Sequence, residues 1–197
     1  MKFVENKKSK ACFLDRDGVL IEEVNYLSSP EQVKVFPEAI RALILLKKNN
    51  YKIIVVTNQG GVARGFFTEN VIPLVHEEID RQLEKYELRV DHYYYCPHHP
   101  AGSVKEYSIK CECRKPMPGM ILQAVQDYNI DLNSSFLVGD KKTDLLAAKN
   151  AGCPGLLVET GHGKEHKKES LVNGFLAFSN IEQAVVSFLN SGDVENY

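Results

Sequence analysis

Short apolar runs alternate along this chain with longer stretches that have helical spacing. The runs cover residues 11–14, 53–56, 92–95, 136–138 and 155–158. They are rich in β-branched and aromatic residues and are bounded by polar or turn-forming residues, a pattern typical of buried strands. Strands separated by helices predict βαβ units, and therefore an α/β fold built on a parallel sheet.

Five helices are predicted between and after these strands, over residues 37–48, 68–84, 118–129, 142–151 and 181–189. Pro37 suits a first helical turn, and Gly152 suits the position just beyond a helix end. No internal repeat, low-complexity tract or long linker interrupts the pattern. We therefore expect a single domain over residues 1–197.

Composition limits the partners of this chain. Its 197 residues are 44% hydrophobic, which is enough for one sizeable core. Lys and Arg (24) nearly balance Asp and Glu (26), so no strong positive field favours nucleic acid. The first residues lack the apolar segment of a signal peptide, and no apolar run approaches the roughly 18 residues of a membrane span. We expect a cytoplasmic monomer that binds neither nucleic acid nor membrane.

Two carboxylates follow the first predicted strand, Asp15 and Asp17 in FLDRDGV. Residues two apart at the end of a strand can face the same cavity, one as a nucleophile and the other as an acid and base. A solvated Asp-Gly turn would give the same pattern. Since ligands of open α/β folds bind at the carboxyl ends of the strands, the predicted active site lies at this edge of the sheet.

The second predicted strand is followed at the same edge by Thr57, Asn58, Gln59 and Gly60. A hydroxyl and successive backbone N–H groups at a strand end can form a cradle for an anion. An ordinary polar turn has the same composition. The anion-binding interpretation is favoured because Asp15 is predicted at the same edge of the sheet.

Further charged groups are expected near these two loops. Asp140 and Lys141 follow the fourth predicted strand, where the carboxylate could supply an oxygen to Mg²⁺. Asp144 begins the next helix, either as an acid favoured by the first helical turn or as a support for the metal site. Lys115 precedes the third helix and could place a cation on a phosphate.

Three cysteines and a histidine form a separate cluster in the sequence, Cys96, His98, Cys111 and Cys113. The C-x-H and C-x-C spacings suit a closed tetrahedral site for structural zinc, which would hold the loop over residues 96–113. Buried cysteines without a metal are the alternative. His99 is treated as a polar neighbour because C-x-H matches the C-x-C spacing.

Four segments together resemble the four motifs of the haloacid dehalogenase superfamily: FLDRDGV, VVTNQ, RKP and FLVGDKKTD. The resemblance implies a three-layer α/β/α Rossmann-like fold, here with no large cap domain and with the zinc-bound loop. It also implies hydrolysis of a phosphate monoester, with Asp15 as the nucleophile and Asp17 as the general acid and base. Thr57 and Lys115 would stabilise the phosphoryl group, and Mg²⁺ would bind Asp15, Asp140 and the Asp17 backbone carbonyl.

Within that superfamily, TNQGGVARG, CPHHP and the long loop to CECRKP resemble the heptose 1,7-bisphosphate phosphatases. That family removes the 7-phosphate of a small sugar bisphosphate, for nucleotide-activated heptose in lipopolysaccharide synthesis. The related histidinol-phosphate phosphatases, with a shorter loop and an acid after TNQ, are the alternative, as is a broader sugar-phosphate phosphatase. A zinc-stabilised binding module without activity is a distant third, because every residue that the chemistry needs is present.

The resemblance also implies the substrate contacts. The loop Glu23, Val24, Asn25 and Tyr26 would contact the sugar together with Asn58, Gln59 and Gly60, Arg114 would recognise the distal end, and Lys141 would add a cation at the rim. The sequence departs from the family pattern at Val19, at Glu23-Val24 and at Gly60. These departures leave the choice between the α and β anomers open.

Overall fold

Six parallel strands form one sheet in the computed structural model, which describes residues 8–192. The strands are β1 (Lys10–Leu14), β2 (Tyr51–Asn58), β3 (His92–Cys96), β4 (Phe136–Gly139), β5 (Gly155–Val158) and β6 (Leu176–Phe178). Their order in the sheet is β3-β2-β1-β4-β5-β6. The parallel α/β fold expected from the sequence is therefore confirmed. The expectation that the chain lacks a signal peptide rests partly on residues 1–7, which lie outside the described residues.

Six helices cover the two faces of the sheet: α1 (Pro37–Lys48), α2 (Val71–Glu84), α3 (Gly119–Tyr128), α4 (Lys142–Ala151), α5 (Gly163–Val172) and α6 (Ile181–Gly192). Alternation along β1 divides the core. Cys12 and Leu14 pack on one side with residues of α1, α2 and α6. Ala11 and Phe13 pack on the other side with residues of α3 and α4. Both faces of the sheet are thus buried, as the near-continuous apolar strands require.

Several boundaries differ from the sequence prediction. The second helix begins at Val71 rather than residue 68, because Thr68 accepts from the Val71 backbone N–H in a preceding turn. The sixth helix continues to Gly192 rather than ending at residue 189. Helix α5 and strand β6 were not predicted. Helix α5 buries only Gly163 and Ser170, so it has no apolar stripe to recognise. None of the helices within residues 8–192 has the length and apolar character needed to cross a bilayer.

Candidate active site

The carboxyl ends of β1, β2 and β4 converge on one cavity of about 220 Å³. Strand β4 lies beside β1 with Leu14 opposite Val138, so the loops that follow the two strands meet. The predicted residues that line the cavity are Asp15, Asp17, Glu23, Val24, Asn25, Tyr26, Thr57, Asn58, Gln59, Gly60, Lys115 and Lys141. Asp140 and Arg114 are not part of this lining and lie next to it, as described below.

Lys115 is buried at the centre of the site with only 3% of its surface exposed. Its Nζ lies 3.0 Å from Asp15 Oδ1 and 2.6 Å from Asp144 Oδ1, and it donates to the Val56 carbonyl at 2.8 Å. Burial acts against the ionised forms of all three side chains. For Asp15, the attraction of Lys115 and Lys141 outweighs burial, and the pKa of that carboxyl is lowered. Asp15 is therefore held as a carboxylate.

The position of Lys115 is fixed by a side chain of β2. Asn58 Oδ1 accepts from the Lys115 backbone N–H at 3.0 Å, and Asn58 Nδ2 donates to the Lys115 carbonyl at 3.1 Å. The amide of Asn58 thus binds main chain on both sides, a role that the sequence does not reveal. Asn58 still lines the cavity, but its polar atoms are already engaged.

Three buried carboxylates, Asp15, Asp140 and Asp144, place one oxygen each within 4.8 Å of one another. Asp140 Oδ2 accepts from the His162 backbone N–H at 2.9 Å, while Asp140 Oδ1 is buried without a hydrogen-bond partner among the described residues. Burial, together with Asp15 and Asp144, raises the pKa of Asp140 to about 8. Asp140 Oδ1 lies 3.8 Å from Lys141 Nζ, and an oxygen without a hydrogen bond in an acidic group fits a hard divalent cation, which prefers such oxygens.

Asp144 has less capacity for a metal, because both of its oxygens have partners. Oδ1 pairs with Lys115 and Oδ2 accepts from the Lys141 backbone N–H at 2.9 Å. The second contact satisfies a free N–H at the start of α4. Asp144 therefore caps the helix and supports Lys115, while a role of Asp144 at the metal site stays a prediction.

Two glycines allow the chain to approach Asp140 closely. Gly161 has φ +55°, and a Cβ there would lie 2.4 Å from Asp140 Oδ2 and 2.7 Å from the Gly18 Cα. Gly18 has φ +79°, and its Cβ would lie 2.5 Å from the same oxygen. Since Thr160 Oγ1 also donates to the Gly18 carbonyl at 2.6 Å, the loops after β1 and β5 are packed against each other around this carboxylate.

The rim of the cavity contains residues that the sequence analysis left without a role. His162 lines the cavity, and its Nε2 lies 3.8 Å from Glu23 Oε2, which is 3.5 Å from Lys141 Nζ. Phe66 packs edge-on against Tyr26 with ring centroids 4.2 Å apart. His162 follows the fifth predicted strand, so its position at the carboxyl edge was a usable signal. Phe66 offered none, because an aromatic residue in a loop is uninformative by itself.

Cationic side chains gather beside Gly60 at this rim. A Cβ on Gly60 would lie 3.2 Å from Arg114 Nη1 and 3.4 Å from the His99 ring. Arg64 Nη2 is 3.1 Å from His99 Nε2. Burial and the two arginines lower the pKa of His99. Within residues 8–192, neither Arg64 nor Arg114 has a carboxylate at ion-pair distance, although Arg114 Nη1 donates to the His98 carbonyl at 2.9 Å and lies near the three cysteines of the Cys/His group.

Cys96, His98, Cys111 and Cys113 form a second cluster, the Cys/His group, next to the cavity. The sulfur of Cys113 lies 3.1 Å from that of Cys96 and 3.2 Å from that of Cys111, and the latter two are 3.5 Å apart. His98 Nδ1 is 3.4 Å from the Cys113 sulfur, whereas His99 faces Arg64. Zn–S bonds of about 2.3 Å would place tetrahedral sulfurs about 3.8 Å apart. The four side chains therefore fit one zinc ion with small adjustments.

A larger groove of about 850 Å³ lies at the opposite edge of the sheet, between the ends of α1 and α2. It contains acids and bases of mixed sign, such as Glu77, Arg81 and Arg89, near the start of β2 and β3. Neither the group of three aspartates nor the Cys/His cluster lies there. The smaller cavity at the carboxyl edge is thus the one that lies beside the candidate metal-binding groups. Ligands of open α/β sheets generally bind at this edge.

A parallel sheet with these carboxylates and a buried lysine at its carboxyl edge defines a hydrolase of the haloacid dehalogenase type. Residues 112–184 match the family model described as HAD-hydrolase-like. A D-glycero-alpha-D-manno-heptose-1,7-bisphosphate 7-phosphatase of Photorhabdus laumondii is 41% identical over 86% of this chain and 93% of its own length. The chain belongs to the family of D-glycero-D-manno-heptose-1,7-bisphosphate 7-phosphatases.

Other relatives belong to the same family, but their names specify different anomers of the heptose bisphosphate. A D-glycero-beta-D-manno-heptose-1,7-bisphosphate 7-phosphatase of Pasteurella multocida is 46% identical over 77% of this chain and 83% of its own length. The D,D-heptose 1,7-bisphosphate phosphatase of B. bronchiseptica, solved with magnesium and phosphate, has a TM-score of 0.81 and 32% identity. The match covers 92% of this chain and 99% of that structure.

Proposed function

We propose that this protein is a Mg²⁺-dependent phosphomonoesterase that removes the 7-phosphate of D-glycero-D-manno-heptose 1,7-bisphosphate. The product, heptose 1-phosphate, is a precursor for nucleotide-activated heptose. The observation that carries the proposal is the buried Asp15 carboxylate, paired with Lys115 at 3.0 Å in a cavity that also contains Asp17. A second acid beside an ionised nucleophile is what two-step phosphate transfer requires.

The reaction begins with a carboxylate oxygen of Asp15. It attacks the phosphorus of the 7-phosphate, and the bond between phosphorus and the sugar oxygen breaks while Asp17 gives that oxygen a proton. In the second half, Asp17 takes a proton from water, and the water oxygen attacks phosphorus and breaks its bond to Asp15. Inorganic phosphate leaves and Asp17 is protonated again. Lys115 and the hydroxyl of Thr57 stabilise the charge on the phosphoryl oxygens.

Metal ions complete the proposed site. Asp15, Asp140 and the Asp17 backbone carbonyl would hold Mg²⁺, which supplies positive charge to the phosphoryl group. The Oδ1 of Asp140, which has no hydrogen-bond partner among the described residues, supports this assignment. Cys96, His98, Cys111 and Cys113 would hold a structural zinc, which leaves no open position for substrate.

The second phosphate of the substrate explains the cationic rim. A cavity of about 220 Å³ is smaller than most complete ligand pockets, so it encloses the reacting end and leaves the distal end at the rim. There, Arg64 and Arg114 lie next to Gly60 and His99 without acidic partners. A distal phosphate would be attracted to these guanidinium groups. Histidinol phosphate carries an amine that they would repel, so the charge of the rim favours the bisphosphate.

The first experiment is phosphate release, with Mg²⁺, from both anomers of the heptose bisphosphate and from histidinol phosphate at matched concentrations. We expect at least one heptose anomer to exceed histidinol phosphate in kcat/KM by about 100-fold, the equivalent of one or two charge-assisted hydrogen bonds. Preference for histidinol phosphate would overturn the substrate assignment and leave the aspartyl-phosphate chemistry standing.

The rim is tested separately with Arg114→Met. This substitution should raise KM for the bisphosphate by about 10- to 100-fold, the value of one hydrogen bond to a charged group. KM for heptose 7-phosphate, which lacks the distal phosphate, should change little. Arg89→Met, in the groove at the opposite edge of the sheet, is the matched control. Equal losses with both substrates would contradict recognition of the distal phosphate. The single domain, the monomeric state and the cytoplasmic location stay predictions.

A further inference from the structure

Arg16, between the two carboxylates of the first motif, is buried with 1% of its surface exposed. Buried arginines are rare unless they are paired. The Arg16 guanidinium binds both oxygens of Asp17: Nε and Nη2 each lie 3.1 Å from Oδ1, and Nη2 lies 3.0 Å from Oδ2. Two-point contact of this kind fixes the orientation of a carboxylate as well as its position.

Gln59 completes the contact from the neighbouring strand. Its Oε1 accepts from Arg16 Nη2 at 2.9 Å, and its Nε2 donates to Asp17 Oδ2 at 2.9 Å. The same Nε2 lies 2.8 Å from Thr57 Oγ1. Arg16, Gln59 and Asp17 thus form a closed ring of hydrogen bonds, which we call the Asp17 clamp. One link of the clamp reaches the hydroxyl proposed to contact the phosphoryl group.

The surroundings of Arg16 leave it dependent on Asp17. Arg16 lies near His76 and Tyr93, whose rings stack with centroids 4.1 Å apart. Burial and the charge of Arg16 lower the pKa of His76 to about 3, so His76 adds no second positive charge at neutral pH. Among residues 8–192, Asp17 is the one carboxylate at ion-pair distance from Arg16. The guanidinium is therefore built into the fold for this contact.

We propose that Arg16 and Gln59 are positioning residues that fix the side chain of Asp17 for its reaction with the hydrolytic water of the second half-reaction. The inference rests on the proposed function, in which Asp17 takes a proton from water while phosphorus leaves Asp15. A small displacement of a reacting group costs about 100-fold in rate, so loss of the clamp should slow each step that needs Asp17.

The test separates the two half-reactions with p-nitrophenyl phosphate, whose leaving group needs no proton. Stopped-flow measurement of p-nitrophenolate follows formation of the aspartyl-phosphate as a burst, and the later linear phase follows its hydrolysis. In Arg16→Met we expect a burst that approaches one equivalent per chain, followed by turnover that is about 100-fold slower than in the wild type. KM should stay within a few fold.

Gln59→Leu provides a second variant, which leaves the buried guanidinium paired with Asp17. It should show the same pattern with a loss of about tenfold, the equivalent of one hydrogen bond. Arg41→Met, on the exposed face of α1, is the matched control and should match the wild type in both phases. In an Asp17→Asn background, Arg16→Met should cause no further loss, because the clamp then has no carboxylate to hold.

Loss of the burst in proportion to turnover, unchanged turnover, or an undiminished effect in the Asp17→Asn background would each overturn the proposal. If Arg16→Met does not fold, Gln59→Leu tests the clamp by the same two phases. A wild-type enzyme that forms no aspartyl-phosphate would overturn the proposed mechanism and the clamp together. A wild-type enzyme that hydrolyses p-nitrophenyl phosphate and neither heptose anomer would refute only the substrate assignment.

Discussion

Removing the positive charge of Lys115 is the sharpest perturbation of stability that this site offers. The Lys115→Met substitution keeps a long apolar stem and deletes the ammonium that lies 3.0 Å from Asp15 and 2.6 Å from Asp144. The remaining carboxylates are 6% and 1% exposed, so water cannot replace the lost partner. Breaking a buried ion pair in this way typically costs about 3–5 kcal/mol.

The loss should depend on pH in a defined direction. Without Lys115, burial and mutual repulsion raise the folded-state pKa of both carboxyls above the value in the unfolded chain. Their contribution to stability is then greatest below the unfolded pKa and is lost as pH rises through the folded pKa. The difference between variant and wild type should therefore be largest near pH 8 and shrink toward pH 5.

The assay is urea denaturation followed by far-UV circular dichroism, because the chain has no tryptophan for fluorescence. Lys142→Met is the matched control, since Lys142 pairs with Glu169 at the surface and exposed pairs contribute about 0–1 kcal/mol. A Lys115→Met protein that unfolds within about 1 kcal/mol of the control at pH 8 would refute the buried-pair reasoning. A difference that grows as pH falls would refute the sign.

Three further outcomes follow from local geometry. His76→Phe should reduce the loss of stability in acid. Because the folded pKa of His76 is about 3, this residue lowers the free energy of unfolding of the wild type by about 2 kcal/mol as pH falls from about 6.5 to about 5. Urea unfolding at both pH values measures the difference. Cys113→Ser should reduce bound zinc, measured by elemental analysis, from about one ion per chain to a small fraction, whereas Cys153→Ser should leave it unchanged. Gly161→Ala should abolish Mg²⁺-dependent turnover, because its Cβ would meet a metal-site carboxylate oxygen at 2.4 Å. Gly152→Ala is the control: its φ is +94° and no atom lies within 4 Å of the added Cβ, so it should cost only about 1–2 kcal/mol of stability. Thermal melts and phosphate-release assays on both variants distinguish loss of activity from loss of stability.

Periodicity was sufficient to predict the sheet edge at which the site lies. Apolar strands ending in polar residues indicate where a parallel sheet gathers its loops, and Asp15, Thr57 and Asp140 lie there. Periodicity alone does not give the order of the strands in the sheet. Strand β4 pairs with β1, although two strands and three helices separate them in the chain. Strand order of this kind depends on tertiary packing, which no local pattern encodes.

Arg16 and Asn58 show a second limit. A charged residue between two acids is expected at the surface, since arginine is seldom fully buried. Only the structure reveals that Asp17 and Gln59 accept from its Nε and Nη2 inside the protein, while its Nη1 has no hydrogen-bond partner among the described residues. The Asn58 amide binds the Lys115 main chain, and its expected contact with substrate stays a prediction. Gln59 and Lys115 are on different loops from Arg16 and Asn58, so residue type alone does not predict these contacts.

The proposed mechanism gives the two acids of the first motif different roles, and the structure gives them different buried cations. Asp15 contacts the ammonium of Lys115, which comes from the chain before α3 and also pairs with Asp144. Asp17 contacts the guanidinium of Arg16, which has no other carboxylate partner among the described residues. Identical side chains two residues apart can divide nucleophilic and proton-transfer roles only if their environments differ. Here the Lys115 ammonium and the Arg16 guanidinium supply that difference, so a change in one should leave the other acid able to perform its own step.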